Sequence, residues 1–242
     1  MGDKGIFDYE HPFVTTDAVL LSVKTREQDN YRMLPVTDLR VLLYRRKEEP
    51  FADMWCLPGG FLNIDELPED LIKRKLLEKA NVDNVWLEQL YTFGELERDP
   101  RSRVVSIAYI GMMTQDEADV LNGESEWFII QREGNEQSFI RDGDSPILIT
   151  KSEIGFDHYE IIQTALARLK GKIEYTDIAF NLLPAEFTLT QLQNVYEAIL
   201  GRPEQAANFR RKIAHKVTET DRRTEGKGHR PAKIFIKKGE DQ

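Results

Sequence analysis

The segment 60–82 reads GFLNIDELPEDLIKRKLLEKANV. Two of its carboxylates and two of its lysines bear on whether it could hold a metal ion. The carboxylates belong to Glu66 and Glu78, and carboxylate oxygens are ligands that Mg²⁺ prefers. Lys75 and Lys79 stand among them, four residues apart. An ammonium about 4 Å from a cation is repelled by roughly 1 to 4 kcal/mol per unit charge. The segment therefore favours an anion over Mg²⁺, unless the two lysines are simply a solvated helix edge.

Five arginines are candidates for a phosphate clamp, because guanidinium offers paired donors. They are Arg45, Arg46, Arg98, Arg101 and Arg103. The alternative is that they pair with nearby acids, namely Glu95, Glu97 and Asp99. Trp55 and Phe61 flank the pair Gly59-Gly60 and either line the same pocket or belong to the core.

The C-terminal part of the chain has a charge opposite to that of the rest. Residues 202–238 hold twelve Lys/Arg and four Asp/Glu, a net +8, while the remainder carries −17. An acidic body with a basic end is typical of a polyanion-binding module attached to a sensor or an enzyme. A solvated basic tail is the alternative.

The hydrophobic pattern predicts a mixed α/β sandwich that would position the first group of residues. We expect a helix over residues 68–80, where apolar side chains recur three and four apart. We expect strands over the apolar segments 14–24, 38–46, 87–93, 104–113, 127–130 and 147–150. A short helix is predicted at 115–122, a tight turn at Asp142-Gly143, and an inserted hairpin within 134–146.

A connecting helix is predicted after this sandwich. Asp157 and Glu160 have the spacing of a capping box, and Gly171 is suited to end the helix. Residues 171–176 would then form a hinge. The predicted division is therefore a domain at 1–155, a linker helix at 156–171 and a second domain at 172–242.

The second domain has the pattern of a winged helix. Thr188 and Gln191 form a capping box for a helix that ends at Gly201, and Pro203 is suited to begin the next helix, which would reach about residue 216. Two helices joined by so short a turn indicate a helix-turn-helix. Residues 233–238 would form a strand of the wing.

The segment 60–82 resembles the Nudix box, G-x5-E-x7-R-E-U-x-E-E-x-G-U, in which U is aliphatic. The residues in register are Gly60, Glu66, Arg74, Leu76, Glu78 and Val82. The resemblance makes positions 75, 78 and 79 the main metal ligands, and two of these are lysines here. The closing glycine is Asn81. The box therefore implies a Nudix fold with a vestigial metal site, no catalytic residue and no bound metal.

The order of elements resembles that of the Nudix-related transcriptional regulators of the NrtR type. The resemblance implies an α/β/α sandwich with a mixed sheet followed by a winged helix-turn-helix, and a homodimer that reads operator DNA in response to an ADP-ribose-like or sugar effector. The implied effector-binding residues are Arg45, Arg46, Trp55, Gly59, Gly60, Phe61, Lys75, Glu78, Lys79, Arg98, Arg101 and Arg103. The implied DNA-binding residues are Asn208, Arg210, Arg211, Lys212, His215, Lys216, Lys227, Arg230 and Lys233.

Composition excludes some classes of protein. One cysteine, Cys56, excludes an internal disulfide and favours a reducing compartment. No segment reads as a signal peptide or as an apolar membrane span, so we expect a cytoplasmic protein. We expect no cofactor. The alternative function is a Nudix hydrolase of ADP-ribose or a similar nucleoside diphosphate derivative, and Mg²⁺ would be needed only in that case.

Overall fold

The structure is a computed structural model that describes residues 5, 9–26, 35–83, 85–121, 123–134, 136–224 and 231–239. One large mixed sheet dominates these residues. Its strands are β1 (Phe13–Arg26), β2 (Val36–Arg45), β3 (Trp55–Cys56), β4 (Gly59–Phe61), β5 (Trp86–Phe93), β6 (Val104–Met112), β7 (Ser125–Glu133), β8 (Glu136–Arg141) and β9 (Leu148–Ile149). The strand order is β5-β6-β1-β2-β7-β8-β9, with β3 paired to β2 and β4 paired to β1.

Helices cover both faces of this sheet, as the sandwich prediction requires. Strands β1 and β6 are parallel, and the remaining pairs are antiparallel. Helix α1 (Pro68–Ala80) buries Ile72 and Leu76 against one face. Helix α3 (His158–Lys172) buries Ile162 and Leu169 against the other. The short helix α2 (Gln115–Asp119) follows β6. The predicted α/β/α sandwich is therefore confirmed.

A second, three-stranded sheet lies beyond α3. Its strands are β10 (Glu186–Phe187), β11 (Val217–Arg223) and β12 (Lys233–Lys237), in the order β10-β12-β11. Helices α4 (Leu189–Leu200) and α5 (Ala206–Ile213) precede the hairpin of β11 and β12, which completes the predicted winged helix. Helix α4 also packs against β2 and α3, and one continuous hydrophobic core extends from the large sheet into α4 and α5.

Helix α4 begins and ends as predicted, but α5 does not. The Thr188 hydroxyl accepts a hydrogen bond from the Gln191 amide, the Gln191 side chain bonds back to Thr188, and Gly201 ends α4 in the left-handed conformation. Helix α5 begins at Ala206 rather than at Pro203, because the preceding turn is longer than predicted. It ends at Ile213, so Lys216 lies beyond the helix.

The start of α3 differs from the prediction. Asp157 does not cap the helix with its side chain. Its carboxylate instead accepts hydrogen bonds from Arg98, 2.7 and 2.9 Å away. Gly171 lies inside the helix rather than ending it, and the chain continues without a break into residues 173–177. The predicted hinge at 171–176 therefore begins as helix.

The segment 125–149 forms two consecutive antiparallel pairings. Strands β7 and β8 form a hairpin whose turn begins at Gly134, so the hairpin starts before the region 134–146 in which an inserted hairpin was predicted. The Asp142-Gly143 turn lies between β8 and β9, where the Arg141 guanidinium donates to the Ser145 carbonyl. Among the described residues, no helix is both long enough and apolar enough to cross a bilayer.

Candidate functional site

A cavity of about 190 Å³ opens beside the Gly59-Gly60 strand. It is lined by Thr15, Asp17, Tyr44, Arg46, Glu48, Leu57, Gly59, Gly60, Phe61, Arg98, Asp99, Arg101, Phe156 and His158. Strand β1 supplies Asp17, strand β4 supplies the two glycines and Phe61, and the residues at the start of α3 supply Phe156 and His158. The cavity therefore lies where the large sheet meets the start of α3.

Close packing makes glycine necessary at position 59. Gly59 is paired with Asp17 across strands β4 and β1. A Cβ atom at Gly59 would lie 2.3 Å from both Asp17 Oδ1 and the Thr16 carbonyl oxygen, closer than such atoms approach. The glycine thus lets β4 approach the one buried acid of β1 and closes the floor of the cavity.

A buried ionic cluster forms the inner wall. Asp17 Oδ2 accepts hydrogen bonds from Ser106 Oγ at 2.6 Å and from Arg98 Nη2 at 3.3 Å. Burial alone would raise the pKa of Asp17, but His158, Arg98 and Ser106 together lower it, so the carboxylate stays ionised. The Asp157 carboxylate provides the second partner of Arg98. The wall is thus fixed by oppositely charged, hydrogen-bonded groups.

His158 joins this wall to the helix behind it. Its Nδ1 accepts a hydrogen bond from the Leu57 amide at 2.9 Å, so the ring proton lies on Nε2. Nε2 faces Asp17 Oδ1 at 3.4 Å. The imidazole therefore connects the first residue of α3 to both β1 and the loop before Gly59.

Aromatic rings and guanidinium groups form the outer part of the cavity. The Arg101 guanidinium lies 5.1 Å from the ring centre of Phe61 and 5.7 Å from that of Phe156. Arg46 lies 5.2 Å from the Phe156 ring. Phe156 has a φ of 55°, a conformation that a bulky residue adopts only where its surroundings enforce it. The chain thus holds this ring between two cations at a strained position.

The two outer arginines differ in how much of their charge is neutralised. Arg101 makes two hydrogen bonds to Asp99, at 2.7 and 2.9 Å. Arg46 donates to the backbone carbonyls of Pro50 and Glu49 instead. Of the arginines that line the cavity, Arg46 alone has no carboxylate within ion-pair distance among the described residues. Arg46 is therefore the cation best placed to meet an anionic ligand.

The vestigial box reaches the cavity only through Gly60, and its charged residues lie outside the cavity lining and are paired with opposite charges. Arg74 bonds both to Glu66, at 2.8 and 2.9 Å, and to Glu78, at 3.1 Å. Lys75 Nζ lies 2.7 Å from Glu78, so the pKa values of Glu66 and Glu78 are both lowered by these cations. Lys79 faces Glu124. The two box carboxylates are thus already paired with cations.

Mg²⁺ does not fit this arrangement. A hard cation requires several uncommitted oxygen ligands, and two ammonium groups stand at the corresponding positions 75 and 79. Within the described ranges, no group of three or more His, Cys, Asp or Glu side chains is arranged to hold a metal ion. The side chains of the box therefore do not support a metal-dependent hydrolytic step.

The structure brings only part of the predicted effector set together. Arg46, Gly59, Gly60, Phe61, Arg98 and Arg101 line the cavity. Trp55 does not, because it is buried against the Phe128 ring in the core. Arg45 faces Asp53 in solvent, and Arg103 donates to the backbone carbonyls of Gly94 and Glu95. Lys75, Glu78 and Lys79 pair with acids or bases of the box and its surroundings.

Arg98 is the clearest correction. It was predicted either to clamp phosphate or to pair with Glu95, Glu97 or Asp99. Its guanidinium is instead buried between Asp17 and Asp157, so it holds the wall and has little left to offer a ligand.

Sequence reasoning missed the cavity residues Asp17, Tyr44, Phe156 and His158. A signal for Asp17 was available, because an acid inside an otherwise apolar strand is seldom buried without a partner. The predicted capping role of Asp157 concealed Phe156 and His158, since it placed these adjacent residues at a helix end rather than at a ligand.

The predicted DNA-binding residues divide into two groups. Asn208, Arg210, Arg211 and His215 are exposed on or just after α5, and Asn208 Oδ1 lies 3.2 Å from the Arg211 guanidinium. Lys212 was predicted to face outward, and that is wrong, because its Nζ lies 2.6 Å from Glu174 and over the Tyr196 ring. Lys216 faces Asp177 at 3.1 Å. Lys233 is paired with Glu219, and Lys227 and Arg230 lie outside the described residues.

Comparison with known proteins identifies both parts of the chain. Residues 27–142 match the NUDIX domain family, and residues 179–236 match the NrtR DNA-binding winged helix domain. Over 236 residues the chain is 33% identical to the ADPR responsive transcriptional repressor NtrR of Acinetobacter baylyi, covering 94% of this chain and 83% of that protein.

Two crystal structures extend the likeness to the whole fold. A MutT/nudix family protein from Enterococcus faecalis is 29% identical, with a TM-score of 0.77, over 97% of this chain and 90% of that one. Shewanella oneidensis NrtR complexed with a 27mer DNA is 31% identical, with a TM-score of 0.69, over 93% of both chains. The chain therefore belongs to the NrtR-type family of transcriptional regulators, in which a Nudix domain is joined to a DNA-binding winged helix.

Proposed function

We propose that the protein is an ADP-ribose-responsive repressor that binds its effector in the cavity beside Gly59 without hydrolysing it. The observation that carries this proposal is the contrast between two sites. The cavity offers Arg46, which has no carboxylate partner among the described residues, next to the Phe156 ring, whereas the box carboxylates are already paired with Arg74 and Lys75. A cavity with an available arginine can bind a diphosphate. A box whose carboxylates are already paired with cations cannot bind Mg²⁺ in the usual way.

The chemistry of the cavity favours a nucleoside diphosphate sugar over a simple sugar. Arg46 and Arg101 present guanidinium groups to phosphate oxygens, and the rings of Phe61 and Phe156 offer flat surfaces to a base. The Acinetobacter baylyi relative is named as responsive to ADPR. ADP-ribose has both a diphosphate and an adenine, so it uses both features.

The winged helix supplies the DNA-binding part of the proposal. Helix α5 would enter the major groove, with Asn208 and Arg211 near the bases and Arg210 and His215 near the backbone. Lys233, Lys227 and Arg230 would belong to the wing. We further propose a homodimer on a palindromic operator, acting in the cytoplasm where the chromosome is accessible.

The test compares two neighbouring arginines. Arg46→Ala is expected to weaken ADP-ribose binding by about tenfold or more, because a charge-assisted contact to phosphate is lost. Arg45→Ala is the matched control, since Arg45 is the adjacent residue but lies outside the cavity. Isothermal titration of both variants gives the answer. Equal affinity in Arg46→Ala and wild type would place the effector elsewhere.

A further inference from the structure

Helix α3 is attached to the effector cavity at its first turn. Phe156 and His158 line the cavity, and between them Asp157 bonds to Arg98 at 2.7 and 2.9 Å. His158 is also fixed by the Leu57 amide. Any ligand that shifts the Phe156 ring therefore acts on the residues that begin α3.

The opposite end of α3 is attached to the helix that would read DNA. The backbone continues from α3 through hydrogen bonds of Ile173 to Leu169 and of Thr176 to Lys172, both 3.0 Å long. Residues 173–177 are thus a continuous extension of α3, and they carry Glu174 and Asp177. With a rise of 1.5 Å per residue, the fifteen residues of α3 span about 22 Å between the two attachments.

Two lysines, Lys212 in the last turn of α5 and Lys216 just beyond its end, contact this extension. Lys212 Nζ lies 2.6 Å from Glu174 Oε2 and 5.1 Å from the ring centre of Tyr196. Lys216 Nζ lies 3.1 Å from Asp177 Oδ1 and also donates to the Thr176 carbonyl. Lys212 is half-buried between the Tyr196 ring of α4 and Glu174, so this part of α5 faces α4 and the residues that follow α3.

We propose that these contacts form a latch, defined as the pairs Glu174–Lys212 and Asp177–Lys216, that transmits the state of the effector cavity to α5. Lys212 and Lys216 are then positioning residues and not DNA contacts, although both belong to the basic C-terminal region. The inference rests on the proposed function, since it assigns the route by which ADP-ribose changes operator affinity. An ion pair at each contact gives α5 a defined position relative to α3, and a shift of α3 changes that position.

The first experiment measures the effector response of Glu174→Gln. Operator dissociation constants are determined with and without saturating ADP-ribose, and their ratio is compared with that of wild type. The latch predicts that the ratio falls by about threefold or more, because part of the coupling between the cavity and α5 is lost. Glu160→Gln is the matched control. It makes the same change within α3, with the same 43% side-chain exposure, at an ion pair with Lys151 that does not reach the winged helix.

The second experiment asks whether Lys212 touches DNA. Each lysine that neutralises a phosphate contributes about one unit to the slope of log Kd against log salt concentration. The latch predicts that Lys212→Gln keeps the wild-type slope and loses part of the response to ADP-ribose. A slope reduced by about one unit, with an unchanged response, would show that Lys212 is a phosphate contact and would overturn the latch.

The outcomes for wild type separate this inference from the proposed function. If wild type fails to bind operator DNA or to respond to ADP-ribose, the proposed function is wrong, and the latch fails with it. If wild type responds and Glu174→Gln responds to the same extent, the proposed function stands and the latch alone is wrong.

Discussion

Arg98 is nearly enclosed, and every strong contact of its guanidinium is with a carboxylate. Asp157 lies on one side and Asp17 on the other, and the Arg98 side chain is only 3% exposed. Burial favours the neutral form of an arginine, yet the two acids raise its pKa. The arginine thus neutralises two acids that would otherwise be buried without a counter-charge.

Arg98→Met should destabilise the fold strongly. Removing one partner of a buried ion pair typically costs about 3 to 5 kcal/mol, because the remaining charge is left uncompensated. Arg103→Ala should cost less than about 1 kcal/mol, since Arg103 is exposed and bonds only to backbone carbonyls. Urea unfolding at neutral pH measures both.

The penalty of Arg98→Met should also depend on pH. In wild type the pKa of Asp17 is lowered from 3.8, so its contribution is present above that pH and is lost as the pH falls through the folded value. Without Arg98, the part of the lowering that this guanidinium provides is lost, so Asp17 takes up a proton at a higher pH than in wild type, and protonation relieves the unpaired charge. The difference from wild type should therefore shrink below about pH 4. A constant difference from pH 7 to pH 3 would show that lost packing, not charge, accounts for the effect.

The two lysines of the box, Lys75 and Lys79, are the residues that we expect to exclude a divalent metal ion. Lys75→Glu with Lys79→Glu restores carboxylates at the positions where the Nudix pattern has them. The double variant is expected to bind Mn²⁺ saturably in a titration followed by electron paramagnetic resonance, because an ionic repulsion becomes an attraction. Lys75→Met with Lys79→Met is the control that removes charge without adding ligands. Equal Mn²⁺ binding by wild type and the double Glu variant would contradict this account of the box.

At the scale of elements, α1 shows what a local pattern determines. Its predicted bounds, 68–80, match the observed helix, because Pro68 begins it and the left-handed Asn81 ends it. Asn81 has a φ of 56° and stands where the Nudix pattern has glycine. Asparagine is one of the few residues besides glycine that adopt this conformation at low cost.

Asn81→Ala should therefore lower the free energy of unfolding by about 1 kcal/mol, while Asn81→Gly should change it by less than about 0.5 kcal/mol. Alanine cannot adopt the left-handed conformation without a clash of its Cβ atom. Urea unfolding distinguishes the two variants. Equal losses would mean that the Asn81 side chain, not its backbone conformation, ends the helix.

The exposed side of α5 is the surface that we expect to bind operator DNA. Replacing Arg210 and Arg211 with Ala should weaken operator binding by about tenfold or more and reduce the salt slope by one to two units, because both arginines are exposed. Arg168→Ala is the control, an exposed arginine of α3 outside the winged helix. Operator binding by the Arg210, Arg211 variant at wild-type strength would contradict the placement of the reading helix.

The elements themselves were largely predictable, and their long-range contacts were not. Thr188 and Gly201 set the ends of α4 through contacts within a few residues, so the sequence alone locates them. Asp157 has the same local pattern, yet its carboxylate pairs with Arg98, 59 residues away. The pairing of Lys212 was missed for the same reason, since its partner Glu174 lies 38 residues earlier, in the segment after α3. A local sequence pattern does not predict a side chain's partner where a charged residue from a distant part of the chain lies within ion-pair distance.

At the scale of the whole molecule, charge asymmetry located the winged helix but did not show which of its basic side chains are already paired. Several basic residues of the C-terminal region are paired with acids, and these pairs are Lys212–Glu174, Lys216–Asp177, Arg222–Glu186 and Lys233–Glu219. A net charge describes the field of a domain and does not say which side chains are available. The basic region therefore serves both to hold the winged helix in place and to present Arg210 and Arg211.

The central claim is that one cavity recognises ADP-ribose and changes DNA binding without consuming the ligand. The most direct measurement incubates the full chain with operator DNA, ADP-ribose and Mn²⁺ in one sample, and follows both DNA binding and the nucleotide. If the protein is a repressor that only binds ADP-ribose, the ligand changes the operator dissociation constant by about fivefold or more and is recovered intact. Sustained conversion of ADP-ribose to AMP and ribose 5-phosphate, with operator binding unchanged, would contradict it.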